Sequence, residues 1–288
     1  MLKKYTAVLW ICLVLSGAAC RNGFTDSDKT PRPLPPVKTS AIDQREMVLV
    51  PSGEFIMGTD KTDTDNTQRQ VGTVKPLYLD QHPERKVTLG AFYIDRYEVT
   101  NAEYQRFIEA TQFPMLPSHW QDGGFPEAIA SHPVTNITWT EAWAYAAWAG
   151  KQLPTEAQWE KAARGTDGRL YAWGNDYAKG KTNIGIDGVR ETAPVGSYPE
   201  DRSPYGAFDM TGNVMEWTQD WYRAYPGNGF HSPRFGKTFK VLRGTGFQKA
   251  GHFFLEAYRY TFNRTEVEPE EYFENVGFRC ATPILEEG

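Results

Sequence analysis

The stretch Tyr205–Tyr222, YGAFDMTGNVMEWTQDWY, constrains this chain more than any other. It sets Asp209, Gly212, Asn213 and Glu216 in one loop and its exit, beside the aromatic anchors Trp217, Trp221 and Tyr222. Asp and Glu supply hard oxygen ligands, and glycine lets backbone carbonyls turn inward, which is the donor set that a calcium ion takes. The same residues also suit a tight turn in which Asp and Asn bond their own backbone. Composition alone favours the turn, because Asp- and Gly-containing loops are common.

The length of 288 residues permits one large domain or two small ones with a real core. Aromatics make up 14 % of the chain, and 26 Gly with 19 Pro imply much irregular backbone. The formal net charge of −5 becomes −7 once Lys3 and Lys4 leave with residues 1–19. No basic stripe is present, so no nucleic-acid partner is expected. Of the three cysteines, Cys12 lies in the leader, and Cys20 and Cys280 make no disulfide framework unless Cys20 reaches across the whole domain. A Cys-based zinc site is excluded by count. The five histidines show no ligand spacing, and no G-x-S-x-G signature occurs.

Residues 1–20, MLKKYTAVLWICLVLSGAAC, have a basic start, an apolar run from Ala7 to Leu15, and small residues before Cys20. This is a secretory signal, too short for a comfortable membrane span. The Cys after small residues resembles a bacterial lipoprotein signal, although Gly17 stands where that pattern prefers Leu. Lipidation of Cys20 is expected, since each buried CH₂ contributes ~0.8 kcal/mol and two or more acyl chains anchor firmly.

Residues 21–45 are polar and Pro-rich and read as a semi-extended linker, so the domain is expected over residues 46–288. The body opens on the strand-like run from Met47, broken by Pro51 and Gly53. Thr59–Pro76 reads as a solvated insertion, since Asp60, Asp63 and Asp65 lack the Gly and terminal Glu of an EF-hand loop. Val87–Tyr97 reads as a strand. Three capping boxes, Thr100 with Glu103, Thr138 with Glu141 and Thr155 with Gln158, open three helices. The apolar helix sides, with Trp143, Trp148 and Trp159, are expected as scaffold. No internal repeat is found.

The segment from Asn183 to Tyr222, together with Met47–Gly58, Phe92–Ile108, His132–Gly165 and Val241–Ala281, resembles the formylglycine-generating-enzyme, or sulfatase-modifying-factor, family. The pieces run in family order over about Met47–Pro283. The resemblance implies a single loop-rich α+β domain of C-type-lectin-like fold with buried calcium. One ion would sit on Asn183, Ile184 (carbonyl), Asp187 and Val189 (carbonyl). The other would use Asp209, Gly212 (carbonyl), Val214 (carbonyl) and Glu216. With the resemblance included, calcium outweighs a bare turn.

Family oxidases convert a substrate cysteine to formylglycine with O₂ and copper held by two cysteines. On the resemblance, those positions fall on Lys249 and Phe254, after Arg243-Gly244-Thr245-Gly246-Phe247. Neither Lys nor Phe is a copper ligand here, so no copper is expected. The chain carries the fold and loses the chemistry.

Phe247–Phe273 replaces the lost site with aromatics interleaved with charge, a composition suited to recognition. Phe247, Gln248, Lys249, His252, Phe253, Phe254 and Glu256 are the expected binding face, with Tyr258, Tyr260 and Phe278 in the core. The expectation is a non-catalytic, calcium-stabilised lipoprotein of the bacterial cell envelope, binding a protein or glycan outside the cytoplasm or serving as part of an envelope machine. The alternative is an active oxidase acting on a sulfatase cysteine, or another enzyme using the same cleft.

Overall fold

Pro51, Gly58, Gly90 and Gly244 stand just past the ends of strand-like runs and keep several strands short. The computed structural model describes residues 36–73, 75–121, 123–247 and 255–284. The chain divides into a leading unit of residues 1–33, outside the described residues, and a body over 34–288. Strand β1 (Val37–Thr39) pairs antiparallel with β2 (Glu46–Val50), followed by β3 (Gly53–Met57). The linker expected over 21–45 therefore ends earlier. Val37 pairs with Val48, and Asp43 and Arg45 are buried inside the body. The pairing is local, closed through residues 40–45, but the Pro-rich composition hides it.

The polar insertion holds a short helix, α1 (Thr67–Val71), whose first amides bond the Asp63 carboxylate at 2.8 Å. The strand expected over Val87–Tyr97 is two strands, β4 (Arg85–Leu89) and β5 (Phe92–Asp95), separated at Gly90. Next come α2 (Asn101–Thr111), α3 (Trp139–Trp148) and α4 (Glu156–Arg164). All three open with the complete capping box, in which the Thr hydroxyl accepts the third helical N–H and Glu or Gln bonds back to the cap. Strands β6 (Met215–Trp221), β7 (Lys240–Arg243), β8 (Arg264–Val267), β9 (Val276–Gly277) and β10 (Ala281–Pro283) complete the body. The sheets run β1-β2-β5-β10, β3-β4 and β8-β7-β6-β9. The result is an α+β, loop-rich fold.

Trp159 and Trp217 are fully buried, and so are four arginines: Arg164, Arg243, Arg264 and Arg279. Each of these guanidiniums forks to buried carboxylates or carbonyls. With so little regular backbone pairing, long side-chain donors satisfy the loop carbonyls that sheets and helices would otherwise satisfy. Trp143 departs from expectation. It is 50 % exposed because α3 turns Ala142, Tyr145 and Ala146 to the core instead. Among the described residues no helix is long and apolar enough to cross a membrane.

Candidate functional site

The loop before β6 is built for close approach. Asp209 and Asn213 both take positive φ, at 57° and 71°. A Cβ on Gly212 would lie 2.2 Å from the Thr182 hydroxyl and 2.8 Å from the Asn183 carbonyl, so only glycine fits there. That contact seats the loop directly on the Asn183 turn. The Asn213 N–H donates to the Asn183 carbonyl at 2.9 Å, and the Asn183 amide donates to Asn213 Oδ1 at 3.1 Å. The two residue sets expected to hold calcium are thus knitted into one structure.

Glu98, which the sequence reading missed, joins the second set. Its carboxylate accepts from the Asn213 amide at 3.0 Å and from the Val214 N–H at 3.2 Å. Glu98, Asp209 and Glu216 are all buried. Arg279 faces them, forking to Glu216 at 2.7 and 2.8 Å, and the Trp159 indole donates to the same carboxylate at 2.9 Å. Burial, followed by the neighbouring Asp209 charge, pushes Glu98 well above the usual carboxylate range. Burial and the nearby Asp201 push Asp209 up to about 7. Asp201 is itself pushed up to about 6 by burial, against the pull of bonds from Thr182, Thr211 and Gly212. Three buried carboxylates beside one guanidinium carry surplus negative charge, which either protons or a cation must offset. Only the apolar flanks of Glu98, in YEVT, could have flagged it in the sequence.

The first set is arranged differently. Asn183 Oδ1 accepts from the Val189 N–H at 3.0 Å, and the Ile184 carbonyl accepts from the Asp187 N–H at 3.0 Å. The Asp187 carboxylate accepts from the Tyr177 hydroxyl and lies 3.5 Å from Lys179 and 4.0 Å from Arg259. Its negative charge already has partners. Among the described residues, no three His, Cys, Asp or Glu side chains converge as a metal cage. A calcium site here would depend on backbone carbonyls as much as on side chains.

The expected binding face lies mostly outside the described residues, which include neither Gln248, Lys249, His252, Phe253 nor Phe254. Phe247 is buried, contrary to its place on that face. Its N–H donates to the Asn213 carbonyl at 2.7 Å, which ties it to the carboxylate loop. Glu256 is exposed and accepts from the Tyr171 hydroxyl at 3.1 Å. Tyr260 and Phe278 are in the core, and Tyr258 is half-buried. Cys280 is fully buried, and burial together with Asp95 pushes its thiol well up, so it remains a neutral thiol and not a metal-binding thiolate.

The model of the sulfatase-modifying factor enzyme 1-like domain matches residues 33–284. The formylglycine-generating enzyme of Bos taurus is 32 % identical over 318 residues, covering 88 % of this chain and 77 % of that protein. The inactive C-alpha-formylglycine-generating enzyme 2 of Mus musculus is 28 % identical over 286 residues, covering 82 % of this chain and 85 % of that protein. Among solved structures, PvdO from Pseudomonas aeruginosa superposes with a TM-score of 0.67 at 25 % identity, over 88 % of this chain and all of that one. A relative named as the enzyme and one named as inactive both match this chain, so shared architecture alone does not assign the chemistry. The chain belongs to the formylglycine-generating, or sulfatase-modifying-factor, family.

Proposed function

We propose that this family member is a non-catalytic, calcium-stabilised binding or structural module, held at the bacterial envelope by a lipid on Cys20. One observation carries the non-catalytic reading. Lys249 and Phe254 stand where the family resemblance puts the copper-binding cysteines. The sequence supplies no substitute pair, because Cys280 is buried and neutral. On the resemblance, a lysine at a ligand position would put an ammonium beside a copper cation, an unfavourable pairing. The purified domain, incubated with copper, oxygen and a sulfatase-type cysteine peptide, is expected to form no aldehyde. Aldehyde detected by mass above the no-protein control would establish the oxidase reading in its place.

Calcium belongs at Asp209, Gly212, Val214 and Glu216, with Glu98 as a further carboxylate. The donors fit in both charge and kind: buried carboxylates with surplus negative charge, and carbonyls on a turn that only glycine allows. The bound ion would hold these loops together, and the chain's own Arg279 and Trp159 would orient Glu216. For Asn183, Ile184, Asp187 and Val189 the support is the family motif, since Asp187 already faces Lys179 and Arg259.

The lipid anchor rests on the basic start, the short apolar run and the Ala19–Cys20 junction. Mass spectrometry of the mature protein is expected to find Cys20 as the acylated first residue. An unmodified thiol there, or cleavage at another bond, would remove the anchor from this reading.

A further inference from the structure

Residues Glu268–Glu274 read EPEEYFE, four carboxylates and two aromatics without a basic residue. Tyr272 is 51 % exposed and Phe273 41 %. Trp143 is 50 % exposed on α3, and large apolar side chains left open together mark interaction sites. The fold makes these one surface. The Trp139 N–H donates to the Pro269 carbonyl at 2.9 Å, the Asn136 N–H to the Phe273 carbonyl at 3.0 Å, and the Thr140 hydroxyl to Glu270 at 2.9 Å. Thr140 and Trp143 are three apart on α3 and therefore neighbours on its surface. Trp139 and Trp143 stack with centroids 6.5 Å apart and planes within 18°.

We propose that this face, with Trp143, Tyr272 and Phe273 beside Glu268, Glu270 and Glu271, docks an arginine-rich segment of a partner protein. Glu268, Glu270 and Glu271 form no ion pair with any described residue. A purely apolar partner would desolvate these carboxylates without compensation, and an anionic one would be repelled. Guanidinium meets both demands at once: its plane stacks on an aromatic face while its fork bonds a carboxylate. The molecule already uses a related pairing internally, with the Lys240 ammonium 3.9 Å from the centroids of both Trp139 and Trp221. Trp, Tyr and Arg are also the residues that dominate binding hot spots. The proposal does not depend on whether the positions Lys249 and Phe254 are catalytic.

The test uses the lipid-free domain and a labelled arginine–serine repeat peptide, with lysine–serine and glutamate–serine peptides of equal length as controls. Binding is followed by fluorescence anisotropy at low and at physiological salt. The arginine peptide is expected to bind more tightly than the lysine peptide of equal charge. Trp143→Ala with Tyr272→Ala changes no charge and is expected to weaken it about fivefold or more. Glu270→Gln with Glu271→Gln is expected to do the same, without altering the melting temperature. Equal binding of the arginine and lysine peptides, left unchanged by the aromatic pair of substitutions, would reduce the effect to general acidity and overturn the proposal. So would self-association that Trp143→Ala abolishes, because the occupant would then be a second copy of this chain.

Discussion

Stripped of calcium, the domain is expected to melt on the order of 10 °C lower at about pH 8 than with the ion present, and the gap is expected to close toward about pH 5. The sign follows from Asp209 and Asp201. Without a cation, folding raises Asp209 from an ordinary 3.8 to about 7 and Asp201 to about 6. Between about pH 4 and pH 7 the folded chain therefore holds more protons than the unfolded one, and stability falls as pH rises. The loss is complete above about pH 7, once Asp209 has ionised. A divalent cation beside Glu98, Asp209 and Glu216 removes the reason for these carboxylates to hold protons. Calcium should thus stabilise most where the stripped domain is weakest. Asp209→Asn should make melting less dependent on both calcium and pH. Calorimetry of the calcium-depleted and calcium-loaded domain at the two pH values checks this. Superposable curves at about pH 8 would rule out calcium at this loop.

Local chemistry made part of this molecule legible in its sequence. Each capping box is written in four residues, and all three helices start where those residues say. The reading of Lys249 and Phe254 at the family's copper positions rests on the resemblance alone. Legibility fails where partners lie far apart along the chain. Glu98 reaches the carboxylate loop only through Asn213 and Val214, and no pattern around it announces that contact. The stretch around Val37 fails for another reason: it is too polar and Pro-rich to look like a strand, yet it forms one by pairing with nearby Val48. Trp143 sits in a helix apolar nearly all round, so periodicity could not choose which side the core would take. The core took Tyr145, and the tryptophan was left at the surface. Asp187 matches the family motif in sequence, but Lys179 and Arg259 are brought to it by the fold.

Replacing Arg243 with methionine is expected to cost ~3–5 kcal/mol, the usual effect of breaking a buried ion pair from one side. Arg243 is fully buried on β7 and joins it to α4, donating to Glu156 at 3.1 Å and Glu160 at 2.7 Å. It also bonds the carbonyls of Thr261 at 2.7 Å and Phe262 at 3.2 Å, holding the segment that leads into β8. Burial by itself would raise Glu160, but Arg243 and Arg164 together hold it below the usual carboxylate range. Its contribution to stability is thus present above the ordinary carboxylate pKa and is lost as pH falls through the lowered value. In Arg243→Met, Glu160 keeps only Arg164 as its cation and becomes easier to protonate. The deficit against the parent protein should be largest near neutral pH and shrink on acidification. Adding Glu160→Gln would strand the buried Arg164, which bonds the same carboxylate at 2.8 Å, and should deepen the loss. Urea unfolding of the parent, the single variant and the double variant at about pH 7 and about pH 4.5 reads all of these effects. A single variant within about 0.5 kcal/mol of the parent, or a double variant as stable as the single one, would show that Glu160 and its two arginines do not hold α4 to β7.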